Sequence, residues 1–305
     1  MNGPFPRTGT EGAVGSRSDG AAGSELSERE FDRVRRLAQR EAGLSIPDAK
    51  RSMVQSRLSR RLRATGHSSF TAYLDEVEGA GDGSERLNLI SALTTNVSHF
   101  FREAHHFETL ANTLLPDLKA KAQSGEAIRL WSAGCSTGQE PYTIAMTLLD
   151  RWPDLGDADL RILATDIDRV VLSTALKGRY ETRQIADVPD RLRRAFLQPD
   201  GPEHVTVCPE IRRLITFRAL NLIETWPMRQ RFDAIYCRNV VIYFSDETQR
   251  ELWPRFAEAL LPGGWLFLGH SERVTDPETL GLTPSGVTSY RKTTMTSFSN
   301  LPHKE

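Results

Sequence analysis

Two glycines and a glutamate have the types and spacing of a site for a nucleotide-like ligand. Gly134 and Gly138 follow the apolar run 128–131, and Glu140 opens a helical pattern. A strand, a glycine turn and a helix in this order let a ligand come close to the backbone. The spacing is GxxxG and not GxGxxG, so an ordinary strand-to-helix turn stays open as an alternative.

An acid at the end of the next predicted strand would complete such a site. The run 161–166, RILATD, is apolar and ends in Asp166. In nucleotide-binding α/β folds an acid about 20 residues beyond the glycine turn accepts hydrogen bonds from ribose hydroxyls. Asp166 fits this role better than Asp168. A nicotinamide-dependent oxidoreductase would use the same combination of strand, glycine turn and acid. The GxxxG turn and the lack of a recognisable proton-transfer dyad count against this alternative.

The segment 94–103, TTNVSHFFRE, carries polar side chains that could face the same ligand. Phe100 and Phe101 cannot both face water at low cost, so we expect them to pin the segment against the larger domain. An interdomain hinge is the alternative interpretation. The polar side chains that would be held at defined positions are Asn96, Ser98 and Arg102.

Histidines and cysteines give no pattern typical of a metal site. The three cysteines are isolated and lack CxxC spacing, which argues against structural zinc and against a disulfide framework. A metal site also needs companion ligands at suitable spacing, and we find none for the histidines, so no metal is predicted. The residues concerned are Cys135, Cys208, Cys237, His99, His105 and His106.

Strands and helices alternate beyond residue 128, which predicts an α/β class with a parallel sheet. The carboxyl ends of the strands carry polar residues, where ligands bind in open sheets. Prolines between 180 and 215 indicate an inserted subdomain at about 186–213, with a helix near 189–197 and a hairpin around Gly201. Further strands are predicted at 215–219, 232–237 and 265–270, and helices at 140–149, 170–180 and 246–261.

Upstream of this domain the pattern predicts a helical domain at 25–93. A capping box of Ser27 and Glu30 opens its first helix, which stops at Gly43. Residues 1–24 have few large apolar side chains, so we expect a disordered tail. Further helices are predicted at 47–64, 69–78 and 84–93. The larger α/β domain would then occupy 94–292, followed by a flexible tail at 293–305.

The second helix combines an apolar stripe with a basic arc. Val54, Leu58 and Leu62 repeat at steps of four and form the stripe. Three interpretations of the basic arc stay open: a solvated face, a binding surface for nucleic acid, and a docking face for an acidic protein. The basic residues are Lys50, Arg57, Arg60, Arg61 and Arg63.

Length and composition limit the remaining choices. With 305 residues, 39% of them hydrophobic, the chain can bury a full core in one large and one small domain. No apolar stretch approaches membrane-spanning length, and the N-terminus lacks a signal-peptide pattern, so we expect a cytoplasmic protein. The net charge of −1 means that acidic partners would have to bind local basic patches.

Taken together, the motifs resemble the CheR family of chemotaxis receptor methyltransferases. They are TTNVSHFFRE, WSAGCSTGQEPYTIA, ILATDID, the pair Asn221 and Leu222, FDAIYCRNVVIYF and LLPGGWLFLGHSE. The resemblance covers roughly residues 26–292. It implies an all-helical N-terminal domain before a Rossmann-like S-adenosylmethionine-dependent methyltransferase domain with a small β subdomain. It also implies methylation of glutamate side chains on transmembrane chemoreceptors. The family usually has Thr at Ser98 and Glu at Gln139.

The resemblance also implies roles for individual residues. Arg102 and Tyr243 would border the methyl group and orient the substrate, and the basic residues of the second helix would dock the receptor. The residues implied to contact S-adenosylmethionine are Asn96, Ser98, Arg102, Glu140, Asp166, Asn221, Leu222, Arg238 and Asn239.

Partners follow from the same resemblance. We expect the cytoplasmic methylation helices of chemoreceptors as partners, with no nucleic acid, no membrane insertion and a monomeric enzyme. Some family members tether a receptor C-terminal peptide through the β subdomain, using a glycine-containing loop. The stretch 198–203 is short and has one glycine, so we predict no such tether here. A noncatalytic cofactor-binding module is the remaining alternative, against which intact Arg102 and Tyr243 argue.

Overall fold

The computed structural model describes residues 25–79, 83–155 and 158–293. The tail expected at 1–24 lies outside these residues, as does the tail expected at 293–305 apart from its first residue. Within the described ranges, no helix has the length and apolar character needed to cross a membrane.

A helical domain comes first, built from α1 Glu28–Ala42, α2 Arg51–Thr65, α3 Phe70–Glu78 and α4 Ser84–Leu93. The Ser27 and Glu30 capping box opens α1, and Gly43 closes it in the left-handed conformation, as the sequence predicts. The expected start of α2 at residue 47 is wrong, because a short 3-10 turn, Asp48–Lys50, precedes the helix. Val54, Leu58 and Leu62 are buried, which confirms the apolar stripe.

The larger domain is organised around a main sheet with strand order β6-β2-β1-β7-β8-β10-β9. Strands β6, β2, β1, β7 and β8 run parallel, and β10 and β9 pair antiparallel at one edge. The strands are β1 Ile128–Ala133, β2 Leu160–Asp166, β6 Ile215–Ala219, β7 Phe232–Cys237, β8 Leu260–Leu268, β9 Leu282–Pro284 and β10 Ser289–Lys292. The surrounding helices are α5 His105–Thr109, α6 Leu115–Gln123, α7 Gln139–Arg151, α8 Arg169–Lys177, α10 Pro209–Arg212 and α11 Asp246–Ala259.

The sheet separates two hydrophobic clusters, because alternate side chains of its strands point to opposite faces. In β1, Leu130 packs in one cluster and Trp131 in the other. The strand predicted at 265–270 begins earlier, at Leu260, so the glycine pair after Pro262 lies within β8, at a register shift opposite β7. A Cβ on Gly264 would lie 3.1 Å from the Phe232 carbonyl oxygen, which explains the need for glycine there.

A small sheet, ordered β3-β5-β4, packs beside the main sheet. It contains β3 Arg179–Glu181, β4 Leu197–Pro199 and β5 His204–Val207, with α9 Asp190–Phe196 before β4. Strands β4 and β5 form the hairpin predicted around Gly201. The subdomain begins earlier than residue 186, because Gly178 ends α8 in the left-handed conformation and releases the chain into β3.

Candidate active site

The glycine turn after β1 docks against the end of β2. The backbone N–H groups of Gly134 and Cys135 both donate to the Thr165 carbonyl oxygen at 2.8 Å. Gly134 has φ +89°, and a Cβ there would overlap the Val240 side chain, so both conformation and space require glycine. The turn therefore brings the ends of β1, β2 and β7 together.

Asp166 lies at the floor of this junction, at the end of β2. Its Oδ2 accepts the Ser136 backbone N–H at 2.8 Å, and its Oδ1 accepts that of Asp168 at 3.0 Å. Burial raises the pKa of Asp166 to about 6, in spite of these hydrogen bonds. Each oxygen keeps a lone pair that a ligand hydroxyl could use.

The segment 94–103 is pinned, as the sequence predicts. Phe100 is fully buried and meets Tyr180 edge to face, with ring centroids 5.0 Å apart. Asn96 Nδ2 donates to Asp168 Oδ2 at 2.7 Å, and the Ser136 hydroxyl donates to the Asn96 carbonyl at 2.9 Å. These bonds fix the segment against the glycine turn.

Arg238, directly after β7, is the hub of a buried ionic network. Its Nη1 lies 3.1 Å from Glu140 Oε2 and its Nη2 3.3 Å from Glu103 Oε2. Nη2 also donates to the Arg102 carbonyl oxygen. The second oxygen of Glu140 accepts the Ser132 hydroxyl at 2.6 Å, and burial raises the pKa of Glu140 even though Arg238 opposes this. Both carboxylate oxygens of Glu140 therefore contact protein groups, and these contacts fix the positions of Ser132 and Arg238.

Glu103 is a site residue that sequence reasoning missed. Its Oε1 accepts from the backbone and the ring of His270, each at 3.1 Å. Burial acts to raise its pKa, but Arg238 and His270 outweigh burial, and the pKa falls to about 2. Its position at the end of the TTNVSHFFRE motif was the available signal.

Glu272 was also missed, although it ends the quoted motif LLPGGWLFLGHSE. Its two oxygens accept the backbone N–H groups of Asn239, Val240, Ile242 and Gly269 at 2.6–3.2 Å. Asn239 has φ +58°, so this carboxylate stabilises a turn with a left-handed residue. The turn carries Arg238 and Tyr243 at its two ends.

The side-chain amide of Asn221 is bonded within the protein, although the family resemblance implies that Asn221 contacts the cofactor. Its Nδ2 donates to the Glu41 carbonyl at 2.7 Å and lies 3.1 Å from Glu224 Oε1, so the amide ties α1 to the larger domain. The neighbouring Leu222 backbone N–H has no partner in the described ranges. Backbone groups here, and not the Asn221 amide, are free for a ligand.

A central cleft collects the predicted site residues between the two domains. Lys50 enters it from the helical domain, with Nζ 5.5 Å from the centre of the Tyr243 ring. Arg102 has its only side-chain bond to the Val97 carbonyl, at 3.2 Å, within the described part of the chain. The predicted residues that line the cleft are Asn96, Ser98, Arg102, Glu140, Asp166, Asn221, Leu222, Arg238, Asn239 and Tyr243.

Two of the five basic residues predicted to dock a partner are engaged elsewhere. Arg57 donates to the carbonyl oxygens of residues 92–94 at the end of α4, at 2.7–3.2 Å. Arg61 forms a fork with Glu85, with Nη2 and Oε2 2.6 Å apart. Both guanidiniums therefore hold α2 against α4, and the docking role predicted for Arg57 and Arg61 stays a prediction. Arg60 and Arg63 are exposed and have no partner among the described residues.

The reason given for excluding a metal also needs correction. Glu103 is a companion for His105 and His106 that the sequence analysis did not recognise. The three residues meet where segment 94–103 enters α5.

Comparisons with known proteins agree with this arrangement. A family model described as "CheR methyltransferase, SAM binding domain" matches residues 96–288, and one described as "CheR methyltransferase, all-alpha domain" matches residues 29–94. A probable chemotaxis protein methyltransferase of Rhizobium etli is 43% identical over 257 residues, 83% of this chain and 96% of that protein.

Two further relatives come from other bacteria. The chemotaxis protein methyltransferase of Escherichia coli K12 is 43% identical over 259 residues, covering 83% of this chain and 87% of that protein. Chemotaxis protein methyltransferase 2 of Pseudomonas aeruginosa is 40% identical over 247 residues, covering 80% and 86%. The chain therefore belongs to the CheR methyltransferase family and contains that family's S-adenosylmethionine-binding domain.

Proposed function

We propose that this enzyme transfers a methyl group from S-adenosylmethionine to glutamate side chains on the helical methylation regions of chemoreceptors. The products are glutamate methyl esters and S-adenosylhomocysteine. The observation that carries the proposal is the mouth of the central cleft, where Arg102, Tyr243 and Lys50 offer side-chain donors beside the cofactor site.

The cleft has groups that fit each part of the cofactor. Asp166 keeps free lone pairs for ribose hydroxyls, and the unpaired Leu222 N–H can bond a base nitrogen. Ile167, Leu220 and Val240 supply apolar lining between the polar groups. An arginine fork suits a carboxylate such as the one at the cofactor's amino-acid end.

This reaction requires no general base. When bound, S-adenosylmethionine supplies a methyl group already activated by its sulfonium. A glutamate carboxylate has an ordinary pKa of about 4.3, so it is ionised at neutral pH and can attack directly. One carboxylate oxygen forms the bond to the methyl carbon as the carbon–sulfur bond breaks and its electron pair returns to sulfur. Catalysis then consists mainly of holding the two groups in line.

Arg102 and Tyr243 are suited to hold the incoming carboxylate. The Arg102 guanidinium has most of its donors free, and the Tyr243 hydroxyl has no partner among the described residues. Lys50 adds positive charge above the Tyr243 ring, where an anionic substrate enters. Arg60 and Arg63, which stay exposed on α2, would steer an acidic helical bundle towards this mouth.

Incubation with methyl-labelled S-adenosylmethionine and receptor-rich membranes tests the proposal. Carboxyl methyl esters release volatile labelled methanol in mild alkali, whereas methylated nitrogen does not. We expect the label in the receptor bands, with alkali release. Alkali-stable label would contradict glutamate esterification, and label in nucleic acid would support the nucleic-acid-binding interpretation of α2.

A further inference from the structure

Three buried side-chain atoms converge at the entry to α5 without hydrogen-bond partners. They are Glu103 Oε2, His105 Nε2 and His106 Nδ1. Each can donate an electron pair to a metal, and one ligand atom from each of the three residues lies within 4.8 Å of those from the other two. Glu103 Oε2 and His106 Nδ1 are 3.7 Å apart, close to the spacing of two ligands on one tetrahedral ion.

The hydrogen bonds of His106 leave its Nδ1 lone pair bare. Its Nε2 lies 3.1 Å from Thr288 Oγ1 and 3.2 Å from the Val287 carbonyl oxygen, which can only accept. A proton on Nε2 satisfies both partners and leaves Nδ1 with its lone pair. A histidine metal ligand typically donates its other ring N–H to a carbonyl in this way.

The other two ligands are also held by the fold. Glu103 adopts φ +56°, and His270 fixes its Oε1 through two contacts, which turns Oε2 towards the histidines. The rings of His105 and His106 have centroids 4.1 Å apart. An unpaired polar atom in a buried place normally costs stability, so His105 Nε2 and His106 Nδ1 need an explanation. Glu103 Oε2 has the Arg238 guanidinium at 3.3 Å but no hydrogen bond.

We propose that Glu103, His105 and His106 form a binding site for one divalent transition-metal ion, for which Zn²⁺ is the best candidate. Two imidazoles and a carboxylate are ligands that zinc accepts in tetrahedral sites with one further open position. Calcium and magnesium prefer oxygen ligands and would not choose two imidazoles. The three residues do not line the central cleft, but Glu103 contacts Arg238, which does.

The positive charge of Arg238 disfavours binding of a cation at this site, and this limits which metals could bind. Its Nη2 is 3.3 Å from Glu103 Oε2, so guanidinium and metal compete for one carboxylate oxygen. Glu140, in contact with the same guanidinium, offsets part of the added positive charge. Only a cation that bonds strongly to imidazole would overcome this repulsion.

Titration of the full-length, tag-free protein with Co²⁺ tests the site directly. We expect one equivalent to bind and to give visible bands of a four-coordinate nitrogen and oxygen environment, without thiolate charge-transfer bands. Zn²⁺ should displace the cobalt. His105→Ala should weaken cobalt binding by at least about tenfold, while His204→Ala, a histidine in β5 away from the cluster, should bind as the wild type does.

Thermal melting provides an independent readout, because an ion that binds only the folded chain raises its melting temperature. Zn²⁺ should stabilise the wild type and His204→Ala but not His105→Ala, whose metal-free melting curve shows whether the variant folds. Equal metal binding by the two variants would overturn the proposal. So would the absence of saturable binding, or stabilisation by Mg²⁺ equal to that by Zn²⁺.

Discussion

Arg238 and Arg102 illustrate, at the scale of single residues, two different uses of one side chain. Arg238 is almost fully buried and bonded to Glu103, Glu140 and the Arg102 carbonyl, so it positions its neighbours. Arg102 keeps most of its donors free at the mouth of the cleft. A lysine would not reproduce the contacts of Arg238, because a single ammonium cannot span three acceptors in a fixed plane.

Asp166 makes the affinity for S-adenosylhomocysteine depend on pH. Its pKa is about 6 because burial outweighs the hydrogen bonds that its carboxylate accepts from the backbone of Asp168 and Ser136. Ribose hydroxyls bond best to the ionised form, so protonation competes with the ligand. We expect affinity to be constant above neutral pH and to fall as pH drops through about 6, which calorimetry between pH 5 and about 8 would measure.

Asp166→Asn is the matched variant for this test, because it keeps one acceptor oxygen and removes the titration. It should lose on the order of 1–3 kcal/mol of affinity at neutral pH and show no further loss near pH 6. A wild-type profile that is flat over this range, or an unchanged affinity in the folded variant, would remove Asp166 from the ribose site.

The sequence predicts the residues that line the cleft better than the residues that position them. The place of Asp166 at the cleft was predictable because it depends on a local pattern, a strand end after a glycine turn. Glu103 and His270 are 167 positions apart, and Arg238 and Arg102 are 136 apart. Such pairs are set by how the elements pack, which periodicity in one element does not contain.

At the scale of elements, the helical pattern of α2 predicts which side chains are buried, but it does not predict which charged side chains are free. The apolar stripe was predicted correctly, because one buried face follows directly from the period of the helix. The basic arc was treated as uniform, but Arg57 and Arg61 reach back to α4 and Glu85. Long side chains can fold along a helix surface, so their exposure depends on the neighbouring element.

Arg60 and Arg63 are therefore the residues with which to test receptor docking. Arg60→Glu with Arg63→Glu should slow receptor methylation severalfold at low salt, because both guanidiniums are exposed and would attract an acidic helical bundle. The wild-type rate should itself fall as salt screens the attraction. Rates measured across a salt series, with S-adenosylhomocysteine affinity and melting temperature as checks, give the answer.

Arg29→Glu with Arg36→Glu is the control, since these residues are exposed on α1 and produce the same change in net charge. The control should methylate receptors at close to the wild-type rate. Equal losses in the two double variants would indicate a general charge effect and contradict docking through α2.

The small sheet has features that disfavour binding of a receptor C-terminal peptide. Its edge strand β4 ends at Pro199, which has no N–H to offer an added strand. In the following turn, Asp200 is engaged by Arg179 at 2.6 Å. We expect no binding at micromolar concentrations when such a peptide is titrated in a calorimeter, and a saturable micromolar isotherm would contradict this prediction.

At the scale of the whole molecule, the helical domain forms one wall of the cofactor cleft. The Ser45 N–H donates to the Tyr243 carbonyl at 2.8 Å, and Leu44 pairs with Phe244 in an isolated bridge. The Asn221 amide holds the end of α1 from the other side. The sequence predicts two domains, but it does not predict that the loop after α1 closes the site of the second one.

Gly43 lies where this closure is tightest, which makes it a test of the coupling between the domains. A Cβ there would lie 2.8 Å from Ile223 Cγ2 and 3.0 Å from Thr248 Cγ2. Gly43→Ala should therefore push the loop after α1 away from the cleft and weaken S-adenosylhomocysteine binding severalfold, as measured by calorimetry. It should also lose about 1–3 kcal/mol of stability, because φ is +68°.

Gly66→Ala separates backbone strain from the domain contact. Gly66 closes α2 with φ +76°, similar to Gly43, but a Cβ there would meet no atom within 4 Å. It should lose similar stability in denaturant unfolding and keep the wild-type affinity for S-adenosylhomocysteine. If both variants lost affinity equally, the effect would come from general destabilisation. If Gly43→Ala alone lost it, the packing of the helical domain would set cofactor affinity.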